Sequence, residues 1–115
     1  MKRLSASLAT AFVLLVSGLA ASAQPEQDRR ELMTLYFASI AADRCDFPLT
    51  EEEADKLVRG AGDLQKKLKL SDEAADVLYE EVETRFEKTL PDACKPESEG
   101  AKSYAQVLER IRRGR

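Results

Sequence analysis

The side chains of this 115-residue chain whose type and spacing could do chemistry are two cysteines and one regular row of carboxylates. Cys45 and Cys94 could exchange electrons, help to bind a metal, or form a structural bond. Rapid thiol exchange calls for a C-x-x-C spacing that lowers a thiol pKa, and zinc calls for a cluster of Cys and His. Neither pattern is present, and the chain has no His at all. A structural disulfide between Cys45 and Cys94 is therefore expected, as is usual for two cysteines in an exported protein.

The row consists of Asp72, Asp76, Glu80, Glu83 and Glu87. At 100° per residue these five fall within about 80° of one helix face. Like charges one turn apart cost ~0.2–0.5 kcal/mol per pair, and only Glu81 with Arg85 forms a favourable four-residue pair in the same stretch. Two readings of this acidic ridge stand side by side: a candidate binding surface for a cationic ligand or partner, or a face that is solvated or neutralised from within. The internal candidate is the end of the chain. Residues 100–115 hold Lys102, Arg110, Arg112, Arg113 and Arg115 against Glu109, net +4, whereas residues 24–99 are net −9. A last helix antiparallel to the ridge helix would bring its basic end near Asp72 and Asp76. Internal pairing or solvation is the expectation, since surface charge is usually solvated.

Other chemistry is excluded or thinly supported. Without His the commonest general base, imidazole metal ligand and switch near neutral pH are missing, so no catalytic Ser or Cys pair, no metal and no cofactor are expected. No acidic run has the calcium-loop pattern around a Gly. A carboxylate pair in a cleft is the remaining enzymatic route, and a small helical domain offers little room for one. The net charge of −3 argues against nucleic acid, which rewards clustered Lys and Arg along a phosphate track.

Four helices are expected to position these groups. Asp28 and Glu31 have capping-box spacing ahead of Leu32, Met33, Tyr36, Phe37 and Ile40, predicting a first helix over about 26–43. Leu35, Ala38 and Ala42 widen its apolar face, so it should be covered on more than one side. Pro48 biases Phe47 away from helix, and Phe47 is expected to cover the disulfide. Thr50 and Glu53 form a second capping box, followed by the stripe Ala54, Leu57, Val58, Ala61, Leu64 and Leu68 up to about residue 69. Gly60 and Gly62 interrupt this helix at a cost of ~1 kcal/mol each, which a neighbouring backbone in close approach would explain better than a hinge. Ser71 caps a third helix with the stripe Ala75, Leu78, Tyr79, Val82 and Phe86, ended by Pro91. Tyr104, Val107, Leu108 and Ile111 mark a last helix over about 99–112. No strand alternation or repeat is present.

The first 23 residues read as a secretory signal: Lys2 and Arg3, an apolar run from Leu8 to Leu19, and Ala21-Ser22-Ala23 before a cleavage site at Gln24. The run is shorter than the ~20 residues that span a bilayer, so a cleaved signal is expected rather than a retained anchor. The product, residues 24–115, would then be a single small domain with 16 basic and 21 acidic side chains, without a membrane span and placed in a bacterial periplasm.

The expected fold is an all-α four-helix bundle built on a central hairpin, with Cys45 just before its first helix and Cys94 just after its second, clamping its open ends. The expected function is that of a non-enzymatic exported binding or accessory protein that meets another exported or envelope protein, or a cationic ligand, through a helix surface. In outline architecture alone, two cysteines with three helices after the first, the chain resembles the acid-stress chaperones of enteric periplasms. That likeness implies an alternative role as a holdase exposing apolar helices at low pH.

Overall fold

The computed structural model describes residues 25–114, so the expected secretory signal and its expected cleavage site lie outside the described residues. Those residues form four α-helices and one 3-10 turn, with no strand among them: α1 (25–45), α2 (Glu51–Lys67), α3 (Asp72–Glu87), the turn Asp92–Cys94, and α4 (Glu99–Arg112). The expected small all-α bundle is the observed one.

Helix starts follow the local chemistry of the chain. At α2 both capping-box bonds form: the Glu53 N–H donates to Thr50 Oγ1 at 3.1 Å and the Thr50 N–H donates to Glu53 Oε1 at 3.0 Å. Ser71 and Ser98 accept from the N–H groups of Ala74 and Ala101, satisfying orphan donors at the starts of α3 and α4. The first helix departs from expectation. It is already helical at Pro25, the first described residue, ahead of the expected capping box. Asp28 and Glu31 are therefore inside the helix and are free for tertiary contacts with Lys67 and Arg110.

Two helices, α1 and α2, end on left-handed residues other than Gly. α1 stops where Asp46 takes φ 56°, and α2 stops where Lys69 takes φ 57°. Around Lys69 the Leu70 N–H donates to the Gln65 carbonyl and the Lys69 N–H to that of Lys66, a Schellman closure that lets α3 start almost at once. Gln65 Nε2 also donates to Asp72 Oδ1 at 2.9 Å, tying the two helices across this turn.

Burial is deepest in α1. Leu32, Ala38 and Ala41 are fully inaccessible, Leu35 and Ile40 nearly so, and Met33, Tyr36, Phe37 and Ala42 are half-buried against the same core. So broad an apolar face requires more than one neighbour. α2 supplies one, and Gly60 is part of the fit: a Cβ there would stand 3.1 Å from Leu35 Cδ1. The neighbour at Gly60 is thus a side chain rather than a backbone, and a Cβ at Gly62 would meet nothing within 4 Å. α3 supplies the second, through Tyr36 on Tyr79 (ring centroids 5.2 Å) and Phe37 on Phe86 (5.9 Å). α4 buries Tyr104, Val107, Leu108 and Ile111, the four residues of its predicted stripe. Phe47 packs on Tyr104, whose hydroxyl donates to the Pro48 carbonyl at 2.8 Å.

The disulfide Cys45–Cys94 closes the frame, with Cα atoms 5.1 Å apart. It joins the last turn of α1 to the 3-10 turn after α3, and so brackets the α2–α3 hairpin as expected.

Candidate functional site: the acidic ridge and an apolar groove

The ridge on α3 is partly neutralised, by a residue other than those expected. Arg44 of α1 donates to Glu87 and lies 3.7 Å from Glu83. Asp72 is engaged by Gln65. Asp76 and Glu80 are exposed, with no ion pair among the described residues. The basic end of α4 goes elsewhere: Arg110 to Glu31 of α1 at 3.1 Å, Arg112 to Glu53 of α2 at 2.8 Å, and Arg113 to Glu109 of its own helix at 3.1 Å. The expected pairing of this end with Asp72 and Asp76 is therefore not formed. The reason is tertiary: α4 packs on α2 and on the 3-10 turn, so its arginines meet the carboxylates of α1 and α2.

Beside the ridge, Tyr36 and Tyr79 lie edge to face, and burial raises both hydroxyl pKa values above their usual range. Asp76 raises that of Tyr36 further, and Glu83 and Asp43 that of Tyr79. Neither hydroxyl is poised to act as a phenolate near neutral pH. Among the described residues no group of three or more Cys, His, Asp or Glu side chains is placed to hold a metal, and no helix is long and apolar enough to cross a membrane.

Glu53 is the buried carboxylate. The Thr50 N–H, and then Arg112, hold its carboxyl below the usual range. A group whose folded pKa is depressed adds stability above its unfolded pKa, and that contribution is lost as pH falls through the folded value. Glu53→Gln keeps a capping-box side chain and removes only the charge. The urea midpoint of the variant is expected below that of the parent at pH 7. The gap should narrow as pH falls below the ordinary carboxyl range and close as pH falls through the depressed folded value. A variant equal to the parent at pH 7 would show that the Arg112–Glu53 contact adds nothing.

The second site was not predicted. A groove of about 1330 Å³ runs over α1 between α3 and α4. Met33 and Phe37 form its floor, with Val82 and Phe86 on the α3 wall and Val107 on the α4 wall. The 3-10 turn closes one end. There Gly100 packs closely: a Cβ would lie 3.1 Å from the Ala93 carbonyl oxygen, so glycine eases the approach of the first turn of α4 to the turn that the disulfide pins to α1. Ser98 secures the same junction by donating to the Ala93 carbonyl at 2.8 Å. The apolar breadth of α1 was a sequence signal for such a surface, but which of its faces stays uncovered depends on where α3 and α4 settle.

No family model matches this chain, and no curated protein or solved structure shows significant similarity to it.

Proposed function

We propose that this is a non-enzymatic, exported binding or accessory protein of the bacterial periplasm that holds an apolar segment of another exported or envelope protein in the α1–α3–α4 groove. The observation that carries the reading is the middle of α1, Leu32 to Ala42, whose broad apolar surface packs into the core of the bundle but leaves Met33 and Phe37 on the floor of the groove. A pocket lined mainly by apolar groups with a few polar ones at its edge is the usual form of a binding site. The carboxylates along it, Asp92, Glu99 and Glu109, each pair with a cation one turn away on the same segment, an arrangement that suits a solvated lip better than acid–base work. The ridge is the weaker candidate, because Arg44 and Gln65 already occupy three of its five carboxylates.

A photo-reactive phenylalanine analogue at Gln106, on the exposed α4 lip of the groove, is expected to give one discrete crosslinked product in intact cells. The same analogue at Glu80 on the ridge should give none. A product at Glu80 with none at Gln106 would move the binding surface to the ridge.

A second reading is favoured by the charges between helices. Asp28–Lys67, Glu31–Arg110, Glu53–Arg112 and the contacts of Arg44 with Glu83 and Glu87 all depend on a carboxylate, so acid removes every one of them. A holdase that loosens at low pH should suppress aggregation of unrelated proteins near pH 3, whereas an accessory protein should not.

A further inference from the structure

The outer face of α2 carries a pattern that the bundle does not use. At 100° per residue Glu51, Asp55, Val58, Gly62 and Lys66 fall within about 80° of one face. That face is turned away from the side where Glu53 and Leu57 are buried and Gly60 approaches Leu35. Val58 is 70% exposed, one of the two large apolar side chains left so open among the described residues. Gly62 weakens the helix interior, and nothing in the fold asks for it, since a Cβ there would meet nothing within 4 Å. A glycine on an open helix face leaves a hollow that admits close approach from outside. The charges around these two residues change sign along the helix: Glu51 and Asp55 come before them, Lys66 in the last turn and Lys69 just past its end, all four exposed. The ion pairs of α2 are Glu52–Lys56, Glu53–Arg112 and Lys67–Asp28. Among the described residues Glu51, Asp55, Lys66 and Lys69 have none, nor have Arg59 and Asp63 on one flank of the face.

We infer that α2 is a self-association surface, on which a second copy of this chain packs its own α2 antiparallel about a two-fold axis near residue 60. A two-fold contact presents the same patch from both sides, so its charges pair with themselves when their sign reverses across the axis. In this register Val58 of each copy sits in the hollow at Gly62 of the other. Asp55 stands opposite Lys66, Glu51 opposite Lys69, and Arg59 beside Asp63, each twice by symmetry. A parallel arrangement would set like charges together. From Glu51 to Lys69 the contact is about 27 Å long. One helix from each copy buries less than the roughly 1,200 Å² of a standard interface, so the dimer is weak and reversible. No α2 residue lines the α1–α3–α4 groove, so the dimer leaves both grooves open, and the inference does not depend on what they bind.

The test is sedimentation equilibrium of the oxidised, exported protein over a range of concentrations. The expected result is a monomer–dimer equilibrium whose dissociation constant rises about ten-fold from low to high salt. Lys66→Glu with Lys69→Glu makes the face acidic throughout, and Glu51→Lys with Asp55→Lys makes it basic throughout. Each double variant should be monomeric alone, and an equimolar mixture of the two should form heterodimers. Gly62→Gln fills the hollow with a residue of better helix propensity, so it should raise the urea midpoint while weakening association about ten-fold. That midpoint, read by circular dichroism for every variant, separates loss of association from loss of fold. A protein monomeric at every concentration, a dimer that tolerates both charge reversals, or charge-reversed variants that stay apart when mixed would overturn the inference. So would a dimer that withstands Gly62→Gln, because Val58 would then have no hollow to enter. A dimer that dissociates with Gln106→Trp, on the lip of the groove, and not with the α2 variants would move the contact to the groove and overturn the assignment to α2.

Discussion

Replacing both cysteines, Cys45→Ser with Cys94→Ser, is expected to lower the unfolding free energy by roughly 4 kcal/mol while leaving the protein helical in the absence of denaturant. The bond links positions 49 residues apart, and closing a loop of that size removes chain entropy from the unfolded state. Small domains are commonly stable by about 5–15 kcal/mol, so this single bond is a large share of the total. The helices themselves depend on caps and stripes within each segment, which the substitution does not touch. Urea unfolding followed by circular dichroism should show the midpoint falling by about 2–4 M, given the usual slope for a domain of this size. An unchanged midpoint would mean that burial of Ala93 and the Gly100 junction hold the turn without the bond.

Leu32→Ala and Leu57→Ala are each expected to destabilise the fold by about 2–5 kcal/mol, the range for deleting most of a fully buried Leu side chain and leaving a cavity. Leu32 is 0% and Leu57 2% exposed. The informative control is the next residue in sequence: Val58 belongs to the same predicted stripe, yet it is 70% exposed. Val58→Ala should change stability by no more than about 0.5 kcal/mol. Chemical unfolding of the three variants checks the assignment of faces on α1 and α2. A loss at Val58 comparable to that at Leu57 would show that the outer face of α2 is covered in solution.

The ion pairs illustrate how charge patterns mislead when read along the chain. Arg110, Arg112 and Arg113 are a dense basic cluster, and the ridge a regular acidic row, so pairing the two satisfied both patterns. In the fold the partner of the ridge is Arg44, an isolated cation at the end of α1, while Arg112 completes the environment of the Thr50–Glu53 cap. Nothing in the spacing of Arg44 marks it for that role. Its place follows from the parallel course of α1 and α3 and from the bond at Cys45, which holds the last turn of α1 beside the last turn of α3.

Local interactions made much of this protein legible without coordinates. Thr50, Ser71 and Ser98 mark helix starts because an N-cap acts on N–H groups within a few residues, and the stripe of α4 names its own buried set because residues recurring at the helical period share one face. The bracketing of the hairpin by Cys45 and Cys94 follows from similar helix lengths and a short turn. Three things required the tertiary structure: the left-handed ends at Asp46 and Lys69, the pairing of the arginines, and the groove over Met33 and Phe37. Each depends on how the helices are arranged around α1. That arrangement is set by contacts between residues distant in sequence, such as Leu35 with Gly60, Phe37 with Phe86 and Ala93 with Gly100, whose fit no periodicity within a single helix can encode.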